Sequence, residues 1–143
     1  TAGTTFHIPV HLPGAHFSVG DPHAAQGDGE VCVAAIECPM RASLRFDVLH
    51  RPSPGPWFTT PPGSLTPRAD AGGYYGTMGI AEDLMDGARI AVRNMIALLA
   101  ERHGLQPRDA YMLCSLAGDL KILEIVDAGM WNVGMLLPRR TAI

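Results

Sequence analysis

The segment AEDLMDGARIAVRNMIALLAERHG, residues 81–104, constrains the fold more than any other stretch of the chain. Its apolar side chains at Leu84, Ala88, Ala91, Val92, Met95, Ile96 and Leu99 recur at helical spacing, so one face of a long helix must be buried against another layer. Acidic residues open its first turn, where they meet the positive end of the helix dipole, and Gly104 supplies a stop. A shorter helix is expected over PRDAYMLCSLA: Pro107 stands where its missing N–H costs nothing, and Gly118 follows the end.

The partner layer is a sheet. TTFHIPVHL alternates polar residues with Phe6, Ile8, Val10 and Leu12, the period of a strand covered on one face. Two further strands are predicted at Val31–Ile36 and Ala42–Leu49, broken near Pro39; in the second, Leu44, Phe46 and Val48 alternate with Ser43, Arg45 and Asp47. LKILEIVD and WNVGMLLP close the chain as two more. Residues 51–79 are so rich in proline and glycine that they read as one long loop, with a short edge strand at Trp57–Thr60. The order predicts an α+β domain over 1–143: a largely antiparallel β-sheet with one long and one short helix packed on it.

Composition narrows the functions. With 47% hydrophobic and 17% charged residues, the 143-residue chain can bury a real core. A formal charge of -3 without a basic cluster argues against nucleic acid as a partner. No apolar run approaches the roughly 20 residues needed to span a bilayer, so no membrane partner is expected. Cys32, Cys38 and Cys114 are an odd set without zinc-finger spacing, which suits reduced thiols in a cytoplasmic protein.

The chemistry concentrates in GDPHAAQGDGE, residues 20–30. Asp21 and His23 are two apart, as are Asp28 and Glu30, and Gly20, Gly27 and Gly29 free the backbone to fold both pairs toward one point. Carboxylates and imidazole brought together repel unless a cation or protons intervene, which makes Asp21, His23, Asp28 and Glu30 candidate ligands of a divalent metal, with zinc, manganese or iron suiting the mixed O and N donors. The competing reading is an Asx-rich turn whose carboxylates cap backbone amides. With a metal, the stretch would be a hydrolytic site, with Asp28 or Glu30 the proton-transferring carboxylate. His7, His11 and His16 are secondary candidates; His50 and His103 read as solvated ends of elements.

FSVGDPHAAQGDGEVC resembles the signature of the acetamidase/formamidase family. GIAEDLMDGARIAVRNMIALL is similar to that family's late helix, and AYMLCSLAGDLKILEIVD with WNVGMLLP is similar to its closing segment. The resemblance implies hydrolysis of a small carboxamide, of formamide or acetamide type, or of a lactam, with zinc as the metal. It also implies a larger fold that combines β-sandwich-like parts with the α+β part. It places Asp21, His23, Asp28 and Glu30 in the signature loop, makes Gln26 an amide-orienting catalytic side chain beside Asp28 and Glu30, and puts Glu37 in the same block. Pro22 departs from the small residue common in the family and stiffens the entry to the loop.

Family chains are roughly twice as long, and the match starts about midway along them. The resemblance therefore implies that this chain is the C-terminal portion, that an N-terminal fragment or subunit of the same enzyme completes the site, and that the assembled unit is a homo-oligomer. Two alternatives remain. Thr1 could be an N-terminal nucleophile whose own α-amino group is the base. Otherwise the chain is a non-catalytic subunit that uses Trp57, Phe58, Tyr74 and Tyr75 as interface anchors.

Overall fold

The computed structural model describes residues 2–26, 34–62 and 72–141. Five strands form one antiparallel sheet: β1 (Thr5–His7), β2 (Trp57–Thr59), β3 (Tyr74–Ala81), β4 (Asp119–Glu124) and β5 (Trp131–Pro138), in the order β1-β2-β3-β5-β4. Two helices connect β3 to β4, α1 (Leu84–His103) and α2 (Pro107–Ala117). The expected α+β class and the helix pair are present.

The side chain of Asp83 accepts from the N–H of Asp86 and caps α1, and Gly104 ends it at φ 66 in the left-handed conformation. The helix lays Ala91, Met95, Leu98 and Leu99 against Val133, Met135 and Leu137 of β5, and Ala110 and Cys114 of α2 close the same core. Burial of such side chains contributes about 1.5–3 kcal/mol each for the large ones, which makes this layer pair the stable body of the chain.

Two polar ties fix helix to sheet. Thr77, fully buried on β3, donates its hydroxyl to the carbonyl of Ala91 at 2.8 Å, and Asn94 donates its amide to the carbonyl of Met78 at 2.9 Å. Between them Gly79 leaves no room for a side chain, because a Cβ there would run into the backbone of Gly87 and Ala91 on α1.

The structure departs from the expected strands and loop at several points. Within the loop expected over 51–79 the short strand at Trp57 is present as β2, but the loop ends earlier, at β3, a central strand whose Gly76 and Gly79 mimic loop composition while they admit the Phe58 ring and the α1 backbone. β2 is not an edge strand, since it lies between β1 and β3. Residues 42–49 form no strand, and their alternating Leu44, Phe46 and Val48 are exposed: the pattern is there, but among the described residues no neighbouring strand offers a ladder. Of the strand expected at 31–36, residues 31–33 lie outside the described residues and 34–36 are irregular. β1 stops at His7, two residues before Pro9, which lacks a ladder donor.

Trp57, Tyr74 and Tyr75 are buried in this chain's own sheet, so they pin it internally and are not free interface anchors. Among the described residues no helix is long and apolar enough to cross a membrane.

Candidate metal and active site

The site begins with two backbone stems. Ala24 donates to the carbonyl of Ile36 at 2.8 Å, Ile36 donates back to Ala25 at 3.0 Å, and Cys38 donates to Pro22 at 3.2 Å. This lacing makes an isolated antiparallel bridge between His23 and Glu37. Residues far apart in sequence are thereby set side by side, while Asp21 reaches the same point from a left-handed backbone at φ 57, a conformation that aspartate tolerates better than most residues.

Three donors converge. Nε2 of His23 stands 3.2 Å from Oδ1 of Asp21 and 3.0 Å from Oε1 of Glu37, and the ligand atoms of all three residues lie within 4.8 Å of one another. The imidazole is the buried member, with 11% of its side chain exposed against 79% for Asp21 and 57% for Glu37. Glu37 Oε1 also accepts from the N–H of Ala35 at 3.3 Å, which orients the carboxylate.

Gln26 sets the tautomer. Its Oε1 lies 2.6 Å from Nδ1 of His23, and a carbonyl oxygen only accepts, so Nδ1 carries the proton. In a neutral ring Nε2 then turns a lone pair toward two carboxylate oxygens. That arrangement is repulsive until a cation sits among the three atoms, either a second proton on the imidazole or a metal ion.

The donor set fits a divalent metal. One imidazole nitrogen and two carboxylate oxygens suit zinc, and bonds of about 2.0–2.1 Å in a tetrahedral site put neighbouring ligand atoms about 3.3 Å apart. Separations of 3.2 and 3.0 Å are close to that edge. Gln26 bound to the far nitrogen of the ring is the kind of outer contact that orients a ligating histidine.

Of the candidates named from the sequence, Asp21 and His23 come together, and Gln26 joins them as a partner of the imidazole. Asp28 and Glu30 lie outside the described residues, as do Thr1 and Cys32. Glu37 joins this donor group, which spacing within residues 20–30 did not reveal; the signal is the pairing of the stems on either side of the glycine-rich sequence. Among the described residues the three-donor group contains no other histidine. His7 is instead stacked on Trp57, with ring centroids 3.7 Å apart, and His11 and His16 are exposed.

His103 is not simply solvated, since its Nε2 lies 3.2 Å from the Tyr75 hydroxyl. Asp127 accepts from the N–H of Met130 through its backbone, an ordinary turn contact. Burial pushes the Cys114 thiol up to about 11, which keeps it protonated and unreactive. An open hollow of about 200 Å³ between α1 and β4, lined by Leu84, Met85, Ala88, Leu120 and Ile122 among others, is apolar and holds none of the donors.

The sequence model of the Acetamidase/Formamidase family matches residues 1–141. The chain belongs to that family. It superposes on the crystal structure of an acetamidase from Yersinia enterocolitica with a TM-score of 0.75 and 27% identity, over 99% of this chain and 39% of that one. An acetamidase from Bacillus halodurans gives 0.71 and 30%, over 94% of this chain and 42% of the other. A candidate formamidase of Schizosaccharomyces pombe is 42% identical over 48 residues, 33% of this chain and 12% of its own length. The chain thus spans about two-fifths of the length of the acetamidases whose structures it resembles.

Proposed function

We propose that this chain carries the metal-binding part of an amidohydrolase that converts a small carboxamide, or a lactam, to the acid and ammonia or amine. The convergence of Asp21, His23 and Glu37 on one point supports the reading, because it is a donor set suited to zinc in the segment that resembles the family signature. Family membership supports amide hydrolysis as the reaction class.

A divalent cation held by Asp21, His23 and Glu37 would supply Lewis acidity, the effect that brings the pKa of a bound water to roughly 7. The chain's own residues do the rest. Gln26 holds the imidazole in the tautomer that presents Nε2, and Ala35 holds the Glu37 carboxylate. Asp28 and Glu30, in the glycine-rich sequence between the stems, are the carboxylates that take a proton from water and return it to the leaving nitrogen. Further polypeptide of the same enzyme completes the site, and the assembled unit works in the cytoplasm as a homo-oligomer.

The test is ammonia release from formamide and acetamide by the assembled enzyme, with and without a chelator. Loss of turnover on chelation and its return with zinc are expected. Turnover that survives complete metal removal would instead favour Thr1 as the nucleophile.

A further inference from the structure

β4 is an outer strand, and its open side lies next to the core. It pairs with β5 on one side, and among the described residues no strand lies on the other. An edge of this kind offers a row of backbone donors and acceptors to any strand that can align with it. Its side chains sort by face. Asp119, Lys121 and Glu124 stand opposite Leu136, Gly134 and Asn132, while Leu120 and Ile122 stand opposite Met135 and Val133, on the side of the sheet that carries α1. The register shift between Ile122 and Glu124 returns Glu124 to the charged face, since simple alternation would set residue 124 with residue 122.

The apolar face is open. Leu120 is 53% and Ile122 38% exposed, and both border the hollow that Leu84 and Met85 line from α1. Met85 is itself 59% exposed. The edge therefore presents charges of both signs on one face and an uncovered apolar strip on the other.

We propose that β4 pairs antiparallel with β4 of a second copy of this chain, about a twofold axis at Ile122, with Lys121 of each copy opposite Glu124 of the other. Charge selects both the occupant and the register. A twofold pairing centred on Lys121 would set Lys121 against itself and Asp119 against Glu124, like charges at every charged position. Centred on Leu120, it would engage only residues 119–121 of each strand before it ran past Gly118 into α2. Centred on Ile122, it matches opposite charges twice, brings Ile122 to its own counterpart and sets the two apolar strips side by side. Self-complementarity of this kind is what a twofold contact between identical chains requires. The proposal rests on the homo-oligomer reading of the proposed function, to which it gives a contact. It does not rest on the reaction, because its test reads association.

The experiment is sedimentation velocity of the assembled enzyme carrying Lys121→Glu, the assembled enzyme carrying Glu124→Lys, and an equimolar mixture of the two. Lys121→Glu alone sets carboxylate against carboxylate in both cross pairs, and Glu124→Lys alone sets ammonium against ammonium. One copy of each restores opposite charges in both. Each variant alone should associate about tenfold more weakly than the parent, or worse, and the mixture should recover most of the parental affinity as a mixed pair. Variants that associate like the parent, or a mixture no better than either alone, overturn the proposal and leave the homo-oligomer reading standing. An enzyme that stays a single assembled unit at every concentration overturns both. A second measurement uses the parent alone: hydrogen–deuterium exchange of residues 119–124 should quicken about tenfold or more when dilution separates the units. Protection that persists in the separated unit overturns the proposal, because another part of the same unit would then cover β4.

Discussion

The imidazole of His23 lies 3.0 Å from the carboxylate of Glu37 across a backbone bridge that the same two residues form. Side-chain and main-chain pairing therefore coincide, so the donor geometry is set by the stems and not by the free carboxylate chains alone.

Behind this pair Gln26 touches only the imidazole, so it would act on a bound metal through the ring. Gln26→Ala should weaken zinc affinity about 10–100-fold without removing a ligand, the usual consequence of losing an outer partner of a ligating histidine. Gln26→Glu, which keeps an acceptor at Nδ1, should retain most of the affinity. Competition against a chromophoric chelator measures both; an unchanged affinity in the alanine variant would mean that the 2.6 Å contact does not orient His23.

The close approach of β3 to α1 makes Gly79 a sensitive core position. Gly79→Ala forces a methyl group into the backbone of Gly87 and Ala91 and should cost about 1–3 kcal/mol, or more if the helix cannot shift. In a chain of this size that is a fall of several degrees in Tm. A thermal melt unaltered from the parent would show that helix and sheet are not packed as described.

Stacking against Trp57 makes His7 a source of acid sensitivity. Burial lowers its pKa from 6.5, and the nearby Arg102 and Arg51 charges lower it further. Because the native value is below the unfolded one, the unfolded chain takes up the proton first as pH falls. Stability from this group is whole above about 6.5 and declines below it, until pH passes the lowered native value. Melts of the parent and of His7→Phe between pH 7.5 and 5 should diverge in slope, with the phenylalanine variant less sensitive to acid. Parallel slopes would contradict a neutral, stacked His7.

Cys114 gives a chemical probe of the same core. With its thiol raised to about 11 and its side chain buried between α1 and α2, it should resist alkylation at pH 8 until the protein unfolds. Peptide mapping after iodoacetamide treatment tests this, and prompt native labelling of Cys114 would show that α2 does not stay docked.

The helices and the closing strands were legible in the sequence because their signals are local: periodic apolar residues, Pro107 at one start and Gly104 at one end. β3 was hidden for a physical reason. Gly76 and Gly79 serve close packing, and composition cannot tell a glycine that admits a neighbour from one that permits a turn. Residues 42–49 show the opposite case, since their sequence alternates as a strand does but a strand also needs a partner. At the site, Asp21 and His23 stood out as polar residues among glycines. Glu37 did not, because its place depends on the bridge between stems, a tertiary fact that spacing within one loop does not carry.

The most direct test of the metal site is elemental analysis of the assembled enzyme, purified without added metal, beside a His23→Ala, Glu37→Ala double variant. About one transition metal per copy of this chain is expected in the parent, and none in the variant although it remains folded. A parent without metal that still hydrolyses amides, or a variant that retains the full metal content, would contradict it.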